Sequence, residues 1–502
     1  MTRLFWRANC TCLCMKFTRL SARKIVWARG PQALPVKLTC KQQFWFVARS
    51  DGSYFHFEGD FMSSVGESIR DSVENVKTVP GTATCRFCKA SLRHTFVDLG
   101  KSPLCESFLS ADQLDRMEPF YPLHVQVCSQ CFLVQLQSYV APEHIFTEYA
   151  YFSSYSDSYL RHASAYTEAM IDRFGLDSNS LVVEVASNDG YLLQYFVARG
   201  IPSLGVEPAR NVAEAAVSKG VPTLVKFFGV RVAHEMVDSG NRADLLVGNN
   251  VLAQVPDLND FVEGLKIVLK SRGVITIEFP HLMRLIEGNL FDTIYHEHFS
   301  YFSLLTAERI FAAHGLTIFD LEEIWTHGGS LRIYARHHED CSKPVTDRVL
   351  EFRAREQAAG LGCLEHYAGF QEKVRETKRR LLQFLNAAKD AGKSVVGYGA
   401  PGKANTLLNY CGIRTDFLEY TVDRNPYKHG KFLPGTHIPI FEPDKIRQTQ
   451  PDYVLILPWN LKDEIVKQLS YVHDWGGKLV VAIPELEIIS RAGQPNQQTA
   501  KQ

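Results

Sequence analysis

The run Phe291–Ser303, FDTIYHEHFSYFS, sets two histidines, a glutamate and two tyrosines among phenylalanines. Imidazole titrates near pH 6.5, so it can accept and return a proton at neutral pH, and a positioned base speeds such a transfer by roughly 10²–10⁴-fold. A surface loop has no need of the phenylalanines, and a core strand would avoid the imidazoles. Two readings are open: the wall of a water-poor active site, or a pair of satisfied core histidines. A metal reading of His296, Glu297 and His298 finds no third ligand. The rest of the chain must supply what faces this run.

CRFC places Cys85 and Cys88 in one short turn, and CSQC places Cys128 and Cys131 in another. Each turn can aim two thiolates at one point, and two turns complete the tetrahedron that Zn²⁺ prefers at a structural site. The loop between the pairs is longer than in common zinc ribbons. Two matched pairs argue against a redox Cys-x-x-Cys and against ordinary buried cysteines. A structural zinc bound by Cys85, Cys88, Cys128 and Cys131 is expected. The cluster Cys10, Cys12, Cys14 lacks a regular metal spacing.

VVEVASNDGYLL has the form of a strand, a tight turn and a helix start. Asn188 and Gly190 keep the turn tight, and a helix N-terminus offers free N–H groups. Glu184 ends this strand; Glu207, followed by Pro208, ends the next, where a carboxylate can accept from both hydroxyls of a ribose. Ala186 and Ser187 crowd the approach of a pyrophosphate. A ligand with a ribose and no phosphate fits better, and S-adenosylmethionine is such a ligand. GNNVLAQV, with Asn250, would lie beside it. A generic α/β crossover without ligand is the bland alternative.

VGYGAPGKAN carries Gly397, Gly399 and Gly402 in GxGxxG spacing between an apolar strand and a helix, where backbone and helix N-terminus suit a pyrophosphate. Lys403 adds a positive charge, and Asp423 occupies the ribose-reading position of the next strand. Alone, these residues read as an NAD site. His327, in HGGS, lines a ligand pocket or belongs to a tight glycine turn.

These motifs need a scaffold. At 502 residues the chain has room for about three domains. Hydrophobic residues at 45% and charged residues at 22% are ordinary for globular protein. Lys and Arg total 55 against 55 Asp and Glu, so the balance advertises neither a nucleic-acid face nor a membrane surface. Strands alternating with helical stretches predict an α/β fold in three parts. These are a zinc module over 84–145, a central Rossmann-like domain binding S-adenosylmethionine over 146–340, and a C-terminal Rossmann-like domain over 391–490. A helical segment over 341–390 bridges the last two, and 491–502 is a polar tail. GLTIFDLEEI and GGSLRIYARHH look like a closing antiparallel pair. Residues 1–80 have no acid before Asp51 and match a transit peptide in composition. An extension without a folded role is the preferred reading there. The reducing cytosol is the default compartment, with organelle targeting by residues 1–50 as the alternative.

The paired CxxC turns, EVASNDGYLL, GVEPA, NNVLAQVPD, YHEHFSYFS, HGGSLRIY and GYGAPGKANTLLNY occur here in one order. From about Cys85 to Ile488 the chain resembles the sugar C-methyltransferases, zinc-containing enzymes that methylate carbon of nucleotide-linked keto-deoxysugars. The resemblance implies a catalytic set of Tyr295, Glu297 and His298. A base removes the proton beside the sugar carbonyl, and the enolate takes the methyl of S-adenosylmethionine. His298 is the expected base. Tyr295 would bond the enolate oxygen or return a proton, and Glu297 would orient the ring or grip the sugar. Phe299, Tyr301 and Phe302 would exclude water. The resemblance also implies that the C-terminal domain holds the nucleotide diphosphate, through Gly399, Gly402, Lys403 and Asp423, and that Tyr149 or Tyr151 faces substrate. Gln254 stands where members of the family often carry histidine; an amide cannot take a proton, so a two-histidine mechanism is not expected. An NAD-dependent sugar oxidoreductase and a non-catalytic zinc and nucleotide scaffold are the rival readings.

Overall fold

Each Cys-x-x-Cys pair sits in a tight knuckle. The fourth residue after the first cysteine donates its N–H back to that cysteine's carbonyl: Lys89 to Cys85 and Phe132 to Cys128, both at 3.0 Å. Lys89 and Phe132 take positive φ, 63° and 61°, which turns the chain back sharply enough to bring both sulfurs to one side. The computed structural model describes residues 46–47, 54–55, 83–146, 153–155 and 157–490. Two units divide the chain, Met1–Asn75 and Val76–Gln502. In the first, β1 (Phe46–Val47) pairs antiparallel with β2 (Tyr54–Phe55). The remainder of the N-terminal extension, Tyr149, Tyr151 and the tail after residue 490 lie outside the described residues.

In the second unit the knuckles flank an antiparallel meander of β3 (His94–Ser102), β4 (Tyr121–Val127) and β5 (Val134–Leu136). Leu123, Val125 and Val127 alternate inward along β4, the period-two pattern of a half-buried strand.

The central sheet holds β6 (Val182–Val185), β7 (Ser203–Val206), β8 (Thr223–Leu224), β9 (Ala243–Asn249) and β10 (Leu269–Pro280), all parallel. After β10 comes the short β11 (Ser300–Tyr301), inside the histidine run. Then β12 (Leu316–Ile324) and β13 (Ser330–His337) form the expected antiparallel pair, with β13 also antiparallel to β10. The order is β12-β13-β10-β9-β6-β7-β8, so the winding reverses between β6 and β9. One local expectation shifts. The helix after β6 begins at Leu193, not near Gly190, because Ala186, Asn188 and Gly190 have φ of 57°, 48° and 73° and spend those residues on a left-handed turn.

The bridging segment forms helices Asp347–Ala358, Glu365–Ala368 and Phe370–Asp390. The last buries Phe370, Val374, Thr377, Leu381, Leu385 and Ala388 on one stripe, at helical spacing. The C-terminal sheet comprises β14 (Val395–Tyr398), β15 (Thr421–Val422), β16 (Ile440–Phe441), β17 (Tyr453–Ile456), β18 (Lys478–Val481) and β19 (Glu487–Ile489). Its order is β16-β15-β14-β17-β18-β19, parallel except for β19, and its winding reverses between β14 and β17. A single hydrophobic cluster takes Phe96 and Val125 from the meander, Phe291 and Ile294 from the histidine run, and Leu407 and Leu455 from the C-terminal domain. Burying each such side chain is worth about 2 kcal/mol. No helix among the described residues is long and apolar enough to cross a membrane.

Candidate active site and zinc centre

The sulfurs of Cys85, Cys88, Cys128 and Cys131 all lie within 4.8 Å of one another. Cys85 is 3.6 Å from Cys131, and Cys88 is 3.5 Å from Cys128. A tetrahedron with Zn–S bonds of about 2.3 Å has edges of about 3.8 Å, so the four fit the ion as they stand. Gln135 Nε2 donates to Cys85 Sγ at 3.1 Å, a contact that favours its thiolate, and the Gln130 N–H donates to Cys128 Sγ at 3.4 Å. The Gln135 side chain also accepts from Arg86 N at 2.8 Å, while its backbone pairs with Ser300. The knuckle is thus two residues' contact away from the histidine run.

That run is pinned from three sides. β11 extends the zinc module's sheet, with Ser300 opposite Gln135 and Tyr301 opposite Val134, and Leu136 N donates to Phe299 O at 3.0 Å. From the central domain, Phe299 N donates to Ala253 O at 2.7 Å and Leu282 N to Phe302 O at 2.9 Å. From the C-terminal domain, Thr406 Oγ1 donates to Ile294 O at 2.8 Å and Trp459 Nε1 to Asp292 Oδ2 at 2.7 Å. The phenylalanines anchor the same segment by packing: Phe291, Phe299 and Phe302 are buried in three separate hydrophobic clusters.

A cavity of about 530 Å³ opens at that junction. One end is walled by Asn188, Glu207, Pro208, Asn249 and Asn250 from the β6–β9 reversal. The other is walled by Pro401, Gly402, Lys403, Pro458 and Asn460 from the β14–β17 reversal, with Tyr295, Glu297, His298, Gln254 and His327 between them. Both parallel sheets therefore present their crevices, the usual ligand position of such sheets, to a common space.

The β6–β9 end is built for a polar ligand. Glu207 Oε2 accepts from Asn188 N at 3.0 Å and Oε1 from Ala209 N at 2.9 Å, which locks the left-handed turn against the second strand. Asn249 and Asn250 donate to Tyr191 and Tyr159 through Nδ2, at 3.3 and 3.1 Å, yet Oδ1 of each is buried without a protein partner among the described residues. Burial raises the proton affinity of Glu207, and of Glu184 further still, with the neighbouring acid Glu207 adding to the latter. Unmatched acceptors at a cavity wall fit the hydroxyl and ammonium donors of S-adenosylmethionine.

At the centre, His298 Nδ1 donates to the carbonyl of Thr293 at 3.0 Å. A carbonyl only accepts, so Nδ1 carries the proton and Nε2 is the basic nitrogen, left to the cavity. Burial pushes the imidazolium pKa down to about 4; the Thr293 carbonyl opposes this, and the charge of Lys403 adds to it. The Tyr295 ring lies 4.2 Å from that of His298 between centroids. Burial holds the Tyr295 phenol protonated, well above its ordinary value, with Cys105 and Glu297 contributing. Glu297 Oε1 accepts from Cys105 Sγ at 3.4 Å. His327 sits at φ 57° on the cavity wall, its pKa pushed down to about 3 by burial, then by Lys403 and His298. His296 faces the other way: its Nε2 donates to Pro122 O at 3.2 Å, tying the run to β4.

The cavity thus brings together Tyr295, Glu297, His298, Asn188, Glu207, Pro208, Asn250, Gln254, His327, Gly402 and Lys403. Glu184, Gly190, Gly399 and Asp423 are not on its wall. Gly190 sits behind the turn, against Val221 and Ala216. Gly399 is packed by Pro458, and Asp423 Oδ2 accepts from Ala400 N at 2.7 Å, closing on the glycine loop just as Glu207 closes on its own. Sequence reasoning missed Cys105 and Glu106 from the zinc module, and Asn460 with Trp459 after β17. No motif marks them. Only the apolar strand before Pro458 hinted at a loop on the ligand side of the sheet.

Residues 85–146 match a zinc binding domain family, residues 159–321 a methyltransferase domain, and residues 325–484 the C-methyltransferase C-terminal domain. Over 410 residues, 81% of this chain and 96% of the relative, the sequence is 34% identical to the C-methyltransferase NovU of Streptomyces niveus. Among solved structures, an S-adenosylmethionine-dependent methyltransferase from Clostridium acetobutylicum is 10% identical with a TM-score of 0.29, over 36% of this chain and 92% of its own. A second, from Anabaena variabilis, is 12% identical with a TM-score of 0.29, over 40% and 99%. Scores at that level bear no weight on the fold.

Proposed function

Because the chain belongs to the zinc-containing, S-adenosylmethionine-dependent C-methyltransferase family, we propose that it methylates the carbon beside the carbonyl of a nucleotide-linked keto-sugar, with His298 as the base. The observation that carries the proposal is the tautomer of His298: its Nδ1–H is committed to Thr293, and its basic Nε2 is left to a cavity shared with Glu207 and Asn250.

His298 Nε2 takes the proton from the carbon next to the carbonyl; the electron pair of that C–H bond forms the new C–C double bond as the carbonyl π pair moves to oxygen. Tyr295, a phenol held protonated, donates to that oxygen. Glu297 accepts from a sugar hydroxyl. Phe146, buried on the cavity wall, keeps water from quenching the carbanion, whereas Phe299 and Phe302 pack into hydrophobic clusters behind that wall. S-adenosylmethionine, held at the end of the cavity walled by Asn249 and Asn250, would supply an electrophilic sulfonium methyl to the nucleophilic carbon, with S-adenosylhomocysteine as the leaving group. Gln254, on the same wall, orients substrate through its amide and moves no proton. A zinc ion held by Cys85, Cys88, Cys128 and Cys131 would give β5, and through it β11, a fixed frame.

The experiment is incubation of the purified enzyme with S-adenosylmethionine and thymidine- or uridine-diphospho-4-keto-6-deoxyglucose, with mass spectrometry of the sugar. A gain of one methyl on carbon, together with S-adenosylhomocysteine, is expected. Oxidation or reduction of the sugar with NAD, and no methylated product, would overturn the reading.

A further inference from the structure

We propose that the ammonium of Lys403 is the electrostatic partner of the substrate's carbonyl oxygen, neutralising the oxyanion formed when His298 takes the proton. The inference rests on the reading of His298 as that base and adds a further catalytic residue, from a different domain.

Lys403 is the second residue of helix Gly402–Cys411 and reaches the wall that also holds Tyr295, His298 and His327. Its charge is felt at both imidazoles and at Asp292. Nζ donates to Asn460 Oδ1 at 2.7 Å and stands 4.6 Å from the Trp459 ring centre. Among the described residues no carboxylate lies within ion-pair distance of it. Asp292, the acid that shares its field, has Oδ2 committed to Trp459.

The other cationic lysines on the wall are engaged. Lys226 pairs with Glu235; Lys428 donates to Ala400 O at 2.8 Å and lies 3.9 Å from Asp423. Lys403 is therefore held by a neutral amide and an aromatic face; burial lowers its pKa and the charge of Asp292 opposes this.

Proton transfer from a neutral C–H to a neutral imidazole makes one imidazolium and one oxyanion. A lysine close to the imidazole alone would oppose this step, since two cations would then face each other. With the oxyanion between them the sign reverses: the carbonyl π pair moves to oxygen, and that oxygen meets two positive groups. Preorganised charge aimed at a developing oxyanion is commonly worth about 10²–10³-fold in rate. The same ammonium could serve a diphosphate, and the two roles separate by experiment.

Lys403→Ala and Lys403→Arg are compared with wild type for methylation of thymidine-diphospho-4-keto-6-deoxyglucose and for calorimetric affinity toward thymidine diphosphate alone. The expected result for Lys403→Ala is a kcat lower by about 10²–10³-fold, partly restored by added ethylamine, with thymidine diphosphate affinity within about threefold of wild type. Lys403→Arg, which keeps the charge, retains more activity than Lys403→Ala and guards against a folding defect in the latter. An unchanged kcat, or a loss of thymidine diphosphate affinity as large as the loss in rate, overturns the inference. A wild type that methylates no such sugar overturns the reading beneath it, which is a different result.

Discussion

His298 donates through Nδ1 to the carbonyl oxygen of Thr293, five residues earlier, at 3.0 Å. The bond closes a loop in the chain and decides which nitrogen is basic. Asp292, beside Thr293, is held by Trp459 of the C-terminal domain, so a contact across the domain boundary ties down the segment that carries this carbonyl.

The acid limb of activity follows from this burial. A base works in its neutral form, so activity falls as pH drops through its pKa. With the His298 pKa pushed down to about 4, kcat/KM should stay level from neutral pH to below pH 6 and break near pH 4–5. A limb near pH 6.5 in the free enzyme would mean that the ring is far more solvated than the structure has it.

Stability has a matching pH dependence. His296 and His298 both have pKa values pushed down by burial to about 4, against 6.5 for an exposed imidazole. Between these values the unfolded chain binds more protons, so stability is full above about pH 6.5 and is lost as pH falls toward 4, at about 1.4 kcal/mol per unit for each ring. His327, lowered to about 3, adds to this, whereas Asp292, raised to about 6, and Glu184 and Glu207, also raised by burial, contribute stability as pH falls and oppose it. Urea unfolding of wild type and His296→Gln from pH 7.5 to 5 isolates one ring: the wild type should lose stability relative to the variant as pH falls, and parallel profiles would contradict the burial of His296.

Zinc removal should stop catalysis before it unfolds the protein. One zinc per chain is expected from the four clustered sulfurs. Gln135 touches Cys85 and also carries β11, so loosening the knuckle frees the strand that follows His298. Structural zinc commonly contributes on the order of 10 kcal/mol to a small module. Titration with a chelator, followed by activity and circular dichroism together, should show activity lost while most helix remains. Full activity in zinc-free protein would contradict the linkage.

Gly190→Ala tests the turn beneath the cofactor end. Its φ is 73°, and a methyl there would lie 3.0 Å from Val221 Cγ2 and 3.2 Å from Ala216 Cβ. A destabilisation of about 1–3 kcal/mol is expected, with weaker binding of S-adenosylmethionine in calorimetry. An unchanged melting temperature and affinity would show that the turn relaxes freely.

Much of this was legible in the sequence. Cys-x-x-Cys spacing identified the four metal-ligand candidates, and runs such as LVVEV and KSVVGY marked buried parallel strands because apolar side chains there cover both faces. What stayed hidden is long-range. β11 is two residues long and pairs with a strand more than a hundred residues earlier, so no local pattern could reveal it. His296 and His298 are indistinguishable by type, and only the backbone sends one to Pro122 and the other to the cavity. Glu207 and Asp423 look alike as ribose acceptors, yet both spend oxygens on backbone N–H groups of the preceding loop, and only Glu207 remains on the cavity wall. The spacing around Lys403 suggested a phosphate; its nearness to His298 is a matter of domain docking, which spacing does not encode.

The most direct test of the central claim is proton exchange without methyl transfer. Enzyme and thymidine-diphospho-4-keto-6-deoxyglucose are mixed in deuterium oxide with S-adenosylhomocysteine in place of the methyl donor, and the carbons beside the carbonyl are followed by NMR. Wild type should introduce deuterium at one of them, and His298→Ala should be slower by about 10²–10⁴-fold while binding S-adenosylhomocysteine as tightly. Equal exchange in the two proteins would show that another group removes the proton.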